Sequence, residues 1–325
     1  MVSHYLKHYT MCEVASFDPN TFLENIAVRA DGSMLVTVVF HRALWLVPAV
    51  GSPQAGKPQL LHTFDCPAMG VVEMEHDVFY VCSSAPGKGM LYRVDLRAWS
   101  SGDTLQPELV ATFPAPIGML NGSCKASEGV ILIADCFAGL IWRVNVNPDG
   151  RVSAPSVWLA HPTMEHQPLG PFPQQPGVNG VKFAATTGWL YYTSTAQGLF
   201  MRVAVDPNTF NAIGVPEQVA CGMMGDDFCL DEAAGFAYVT THRENTIDLI
   251  SLTPGGNDGN RRSIVGNPYD ERMTGPSAIA WGRGSEETGV VAYITTDGGV
   301  MSLKPGNVLK PAKVLRVEFS ELESE

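Results

Sequence analysis

Apolar and polar residues along this chain alternate in short runs. No window of about 12 residues places its apolar positions at the i, i+3, i+4, i+7 spacing of an amphipathic helix. The runs are strand-length and are separated by turn residues. Asn25–Arg29 is followed by Ala30-Asp31-Gly32, then by Met34–Phe40 and Ala43–Val47. The same cadence returns as Gly70–Met74, Val78–Cys82 and Met90–Val94, and again as Asn121–Cys124, Val130–Ala134 and Leu140–Val144. A fourth copy is Asn179–Phe183, Trp189–Thr193 and Phe200–Val205, and a fifth is Asp227–Asp231, Gly235–Thr240 and Thr246–Leu252. The sixth is Ser277–Trp281, Val290–Thr295 and Gly299–Leu303. Shorter fourth runs (Leu60–Phe64, Leu109–Phe113, Val157–Ala160, Gln218–Ala220) lie between copies.

Four strands per unit, repeating every ~40–50 residues, is the signature of a propeller. The pattern therefore predicts an all-β fold, a six-bladed β-propeller with four-stranded antiparallel blades around a central channel. The blades fall at residues 18–64, 65–113, 114–160, 177–220, 221–265 and 274–319 of one domain covering 1–325. Either Cys12–Phe17 or Val314–Phe319 can complete the last blade, and use of the former would tie the two chain ends together.

Charge narrows the list of partners. With 21 Lys+Arg against 33 Asp+Glu the net charge is −12, which argues against nucleic acid or an anionic membrane surface. The longest apolar runs, such as Met34–Phe40, are far short of a bilayer span, so membrane insertion is not expected. Met1–Tyr9 carries no basic segment leading into an apolar stretch, and the expected location is cytoplasmic. Seven cysteines without a Cys-x-x-Cys fit free, mostly buried thiols in a reducing compartment. No P-loop is present, since Pro86-Gly87-Lys88-Gly89 lacks its spacing, and no organic cofactor is expected. Arg261-Arg262 reads as part of an exposed loop. The sequence sets no oligomeric state.

In a propeller the innermost strands begin at one rim of the channel, and the turns between second and third strands return to that rim. The first set of positions is Glu24-Asn25, Met69-Gly70, Leu120-Asn121, Val178-Asn179, Asp226-Asp227 and Pro276-Ser277. The turns supply His41-Arg42, Ser84–Lys88, Cys136–Ala138, Thr195–Gln197, His242–Glu244 and Thr296-Asp297. Carboxylates and amides thus converge on one axis, and such hard oxygen ligands suit a divalent cation such as Ca²⁺ or Mg²⁺.

The phrases Glu24-Asn25-Ile26-Ala27-Val28, Leu120-Asn121-Gly122, Val178-Asn179-Gly180-Val181 and Asp226-Asp227-Phe228-Cys229-Leu230-Asp231 resemble the senescence-marker-protein/gluconolactonase (regucalcin-like) family. The resemblance runs blade by blade over the chain. It implies one divalent cation held by Glu24, Asn179 and Asp226, with Asn121 facing the substrate. One departure stands out: the usual Pro-Asp-Gly is Gly225-Asp226-Asp227 here, which leaves open which aspartate faces the channel. Leu23–Arg29 with the later Asp226-Asp227-Phe228 is also similar to a fungal biosynthetic branch of these propellers. Some members of that branch couple a quinone methide to a terpene alkene by hetero-Diels–Alder cycloaddition.

Three sets of residues carry the candidate chemistry. His41 and His242 occupy equivalent turns and titrate near neutral pH, so each is either a proton donor at the channel mouth or a solvated rim residue. Asp135 and Asp297 sit at similar turns and read as Asx-turn residues. Met119, Phe137, Met224 and Phe228, with Thr195 and Asp227, lie next to these positions and form a soft pocket for an apolar small molecule, or else blade packing. The irregular stretch 158–178, with four prolines from Pro168 to Pro176 and Phe172, is a candidate lid or else a plain surface loop.

The expected function is a cycloaddition between apolar partners held in the channel. The alternatives are a metal-dependent lactonase, in which the cation polarises the ester carbonyl, and a non-catalytic ligand-binding scaffold.

Overall fold

The computed structural model describes residues 7–166, 175–253, 261–284, 286–301 and 308–321. The chain opens with a long strand, β1 (Lys7–Pro19), and then lays down four-stranded sheets in sequence order. The first sheet is β2 (Leu23–Val28), β3 (Met34–Val38), β4 (Ala43–Val47) and β5 (Gln59–Thr63). The second is β6 (Ala68–Glu75), β7 (Val78–Ala85), β8 (Lys88–Asp95) and β9 (Glu108–Thr112). The third is β10 (Leu120–Ser127), β11 (Val130–Asp135), β12 (Leu140–Asn145) and β13 (Ser156–Ala160). The fourth is β14 (Val178–Ala184), β15 (Trp189–Ser194), β16 (Leu199–Val205) and β17 (Ala212–Cys221). The fifth is β18 (Gly225–Asp231), β19 (Phe236–Thr241), β20 (Thr246–Ser251) and β21 (Arg261–Gly266). The sixth holds β22 (Pro276–Trp281), β23 (Val291–Thr296) and β24 (Pro311–Glu321), and β1 completes it as the outermost strand. Neighbouring strands are antiparallel throughout. The fold is an all-β six-bladed propeller.

Burial follows strand position. The second strands β3, β11 and β23 are buried at every residue, whereas the outer strands β5, β9 and β13 are half exposed. A second strand is covered on both faces by neighbouring blades, so its sequence is a continuous apolar run rather than an alternating one. The core is accordingly divided among blade interfaces. Tyr191, Phe200 and Phe228 fill one of them, with the Phe200 and Phe228 rings edge to face at 4.9 Å.

Closure uses both chain ends. β1 pairs with β24 from Lys7↔Glu321 to Pro19↔Pro311, so an N-terminal strand covers the edge that the last blade would otherwise expose. Two strand expectations differ from this arrangement. The third strand of the sixth blade is β24; of the expected run Gly299–Leu303 the described part, 299–301, is a turn that Asp297 caps through Gly299 N at 2.6 Å and Met301 N at 2.9 Å, and the rest lies outside the described residues. Arg261-Arg262 opens strand β21 rather than lying in a loop, and the Arg261 guanidinium pairs with Asp248 and Glu244.

Candidate functional site

Each inner strand slips register near its start against its second strand: at Leu23/Ile26, Ala68/Val71, Leu120/Ser123, Val178/Val181, Gly225/Phe228 and Pro276/Ala278. The residues inside the slips are Glu24-Asn25, Met69-Gly70, Asn121-Gly122, Asn179-Gly180, Asp226-Asp227 and Ser277. An irregularity of this kind suspends strict alternation and re-aims side chains. In five of the six blades the slip carries a polar side chain, the second blade with Met69-Gly70 being the exception.

A slip also takes backbone groups off the ladder, and these need partners. Threonines on second strands supply them. Thr37 Oγ1 accepts from Asn25 N (3.0 Å) and Thr193 Oγ1 from Gly180 N (2.9 Å). Thr240 Oγ1 accepts from Asp227 N (3.2 Å) and Thr295 Oγ1 from Ala278 N (3.1 Å). Thr193 Oγ1 also donates to Asp226 O (2.5 Å), joining two blades. Sequence reasoning missed this set, although a threonine recurring in four second strands was its visible trace. The Asn-Gly pairs have a related cause. A Cβ on Gly180 would stand 2.5 Å from Asp227 Oδ1, and one on Gly122 2.6 Å from Asn179 O, so the next blade approaches too closely for any other residue.

At the rim where the inner strands begin, the near mouth, four blades contribute a buried polar cluster. Asn179 Nδ2 donates to Asp226 Oδ1 (2.7 Å) and to Thr195 Oγ1 (3.0 Å), and Thr195 Oγ1 donates to Gly225 O (2.7 Å). His242 places Nδ1 3.8 Å from Asp226 Oδ2 and Nε2 3.1 Å from Asp297 Oδ2. The latter contact is off the N–H axis, an ionic approach rather than a hydrogen bond. The imidazole also stacks on Phe22, with centroids 5.6 Å apart and planes at 17°.

Charge in this cluster is set by burial. It pushes the Glu24 carboxyl far above its ordinary range; Asp226, Asp227 and Asp297 push the same way and His242 opposes them. Burial likewise lifts Asp226 to about 7, against the pull of His242 and the Asn179 hydrogen bond. For His242 burial acts downward, but Asp297, Asp226 and Glu24 outweigh it and hold the imidazole at about 9. At neutral pH the near mouth therefore holds an imidazolium, a neutral carboxyl and a carboxylate poised to exchange a proton.

The remaining sequence candidates separate by location. Asp227 turns away from Asp226: its Oδ1 meets Lys182 Nζ at 2.5 Å and its Oδ2 accepts from Asn25 Nδ2 at 3.3 Å. Asn121 is buried and shares a hydrogen bond with the Cys136 thiol. Met119, Phe137 and Met224 are half-buried, and Phe137 packs edge to face on His166 at 5.5 Å. His41 is exposed on the rim and lies outside the buried cluster. Phe228 is fully buried between blades four and five, beyond reach of a channel ligand; register resumes at this residue and its ring follows the pleat into the core.

Asp135 accepts from Gly118 N, Met119 N, Ala138 N and Trp142 Nε1, a turn-holding role throughout. Asp297 does more than hold its turn, because it also faces His242. Phe172 lies outside the described residues. The start of the candidate lid is tied down by buried Met164 and by Gln197 Nε2, which donates to Pro162 O (2.7 Å) and Glu165 O (3.0 Å).

Glu24, Asn179 and Asp226 come from three blades and carry oxygens of the right type for a hard divalent ion. Their arrangement does not fit one as it stands. Asn179 presents its amide nitrogen to Asp226, and His242 stands beside Asp226 where a cation would sit. Among the described residues no group of three or more His, Cys, Asp or Glu side chains is arranged to hold an ion.

No protein-family profile and no curated protein sequence matches the chain. Solved structures do. A gluconolactonase from Xanthomonas campestris is similar with a TM-score of 0.64 at 14% identity, covering 96% of this chain and 90% of that one. A luciferin-regenerating enzyme gives 0.63 at 11%, covering 96% and 95%. A calcium-binding regucalcin from Agrobacterium tumefaciens gives 0.61 at 16%, covering 94% and 95%. Identities this low establish fold and leave activity open. By structural similarity, the chain shares the six-bladed propeller fold of these proteins.

Proposed function

We propose that the protein is an enzyme acting on an apolar organic substrate at the near mouth, where it forms a quinone-methide heterodiene and couples it to an alkene. The observation that carries this reading is the Asp226–His242–Asp297 array: a buried imidazole between two carboxylates, 3.8 Å and 3.1 Å away, beside Asn179. In a hydroxybenzyl alcohol precursor, Asp226 accepts the phenolic proton while His242 donates a proton to the departing hydroxyl. Water leaves and the quinone methide remains. A proton passed from Asp226 to His242 restores the pair.

His242 then donates a hydrogen bond to the heterodiene oxygen as the new C–C and C–O bonds form. One preorganised donor of this kind is worth ~10²–10³ in rate. Holding the two partners together adds an effective molarity of ~10⁵ M or more. Sequence phrases shared with the fungal branch support the cycloaddition, whereas the structural neighbours speak only to the fold.

Lactone hydrolysis is the second reading, favoured by likeness to a gluconolactonase along nearly the whole chain. There Asp226 would take a proton from water and His242 would face the carbonyl oxygen. One experiment separates the two. The protein is given a hydroxybenzyl alcohol with a terpene alkene and, separately, a panel of aldonolactones and apolar lactones. Chiral chromatography follows the adduct and a pH-stat follows acid release. Accelerated formation of one stereoisomer, reduced ~10²–10³-fold in His242→Gln, supports cycloaddition. Racemic adduct at the uncatalysed rate overturns it, and acid release abolished by Asp226→Asn establishes hydrolysis instead.

A further inference from the structure

The channel has a second mouth, where the inner strands end. There Ile26, Val71, Cys124, Phe183, Leu230 and Ile279, one from each blade, enclose a cavity of about 370 Å³. Trp281 stands in its wall, and Asn25, Ser123, Lys125 and Lys182 bring polar atoms to it. None of the groups assigned to chemistry at the near mouth lines this cavity.

Hydrogen-bonding capacity here is unbalanced. Lys182 Nζ carries three N–H donors, and Asp227 Oδ1 takes one of them. Its side chain keeps 25% of its accessible surface and lines the cavity, with Nζ also 5.4 Å from the centroid of the Phe228 ring. Ser123 Oγ is buried and has no hydrogen-bond partner among the described residues. Lys125 Nζ donates to Met74 O (2.7 Å) and pairs with the highly exposed Glu128, a weak surface contact. The acceptors in the wall are already committed. Glu73 pairs with Arg283 and accepts from Asp77 N (2.8 Å), and Glu232 accepts from Ala185 N (3.2 Å) and Thr186 N (2.8 Å).

Lys182 and Ser123 thus keep spare donors on a wall that is apolar apart from Asn25, Lys125 and the two committed glutamates. A buried hydroxyl without a partner costs ~1–3 kcal/mol, a cost that a ligand oxygen would relieve. We propose that the far mouth is a second small-molecule site, which takes a monocarboxylate with a compact apolar body. The carboxylate meets Lys182, the Ser123 side chain turning to present its otherwise inaccessible Oγ, and the body lies against Val71, Phe183 and Trp281. An inorganic anion would leave those walls without a partner. The site stands independently of the chemistry proposed for the near mouth.

Octanoate is the probe. Isothermal titration of the full-length protein is expected to show one saturable site. Binding should weaken about tenfold or more in Lys182→Met, which removes the charge but keeps the length of the side chain. Val72→Phe, placed on the cavity wall, should weaken it equally without touching the ion pair. Octan-1-ol, which lacks the charge, should bind about tenfold more weakly, and Asp226→Asn should bind octanoate as the parent protein does. Three results would overturn the proposal. They are no saturable heat up to about 10 mM octanoate, affinity unchanged by both Lys182→Met and Val72→Phe, and binding lost only in Asp226→Asn.

Discussion

Asp226 and Asp227 are neighbours on one strand, both nearly inaccessible, yet they belong to opposite ends of the channel. Asp226 meets an amide, an imidazole and the fields of other carboxylates. Asp227 meets an ammonium at 2.5 Å and a second amide. The near mouth therefore gathers negative charge around one histidine, a setting suited to moving protons. The far mouth neutralises its aspartate with a lysine and is left with spare donors, a setting suited to holding an anion. The difference lies in neighbours brought from other blades, not in the residue type.

Breaking the far-mouth pair should have the largest effect on stability. Lys182→Met leaves Asp227 buried with only Asn25 beside it. Because Lys182 retains some solvent contact, the cost is expected at the low end of the ~3–5 kcal/mol typical of a broken buried pair. Urea denaturation measures it, and a loss under about 1 kcal/mol would mean that water already compensates Asp227.

The near mouth should reveal itself through pH. Its histidine titrates at about 9 in the fold against an ordinary 6.5, so the folded protein keeps a proton that the unfolded chain releases in that interval. The stabilisation is complete below pH 6.5 and is lost as the pH rises to about 9, a span worth roughly 3 kcal/mol. Asp226 acts in the same direction at lower pH, since its carboxyl titrates near 3.8 unfolded and at about 7 folded. Thermal unfolding across pH 6–10 should show Tm falling above 6.5, and His242→Gln should flatten that slope. An equally steep slope in the variant would place the titration elsewhere.

Between the two mouths, Gly180→Ala would push a methyl onto Asp227 and should cost ~1–3 kcal/mol by overpacking. A neutral result in the same unfolding assay would show that the blades can separate there. The smallest effect belongs to His41→Ala, which should change stability by less than about 0.5 kcal/mol because the side chain is exposed. A larger loss would extend the near-mouth cluster to the β3–β4 turn of the first blade.

Much of the architecture was legible because blade strands announce themselves locally. Runs such as Val130–Ala134 and Val78–Cys82 are apolar throughout, and a turn follows each one. The sixth blade was harder to read: Gly299–Leu303 has a strand's composition, but Asp297 caps its described part, 299–301, into a turn and the ladder passes to Pro311–Glu321. At the site, Glu24, Asn179, Asp226 and His242 were visible as polar residues at equivalent places in the repeat. Phe228 was misleading, because a large apolar residue two positions from the axis reads the same whether it lines the channel or packs between blades. The clamp of Asp297 on His242 joins blades six and five across 55 residues, and no local pattern encodes it.

What the sequence by itself determined is the element type and the sixfold repeat, since strand alternation, turn residues and blade spacing depend on neighbours along the chain. The tertiary structure decided which aspartate serves which mouth, what charge each side chain carries, that both chain ends close the last blade, and that a cavity stands at the far mouth. Each of these depends on burial and on partners from other blades. Electrostatic interactions act over distances of ångströms through the folded interior, whatever the separation along the chain.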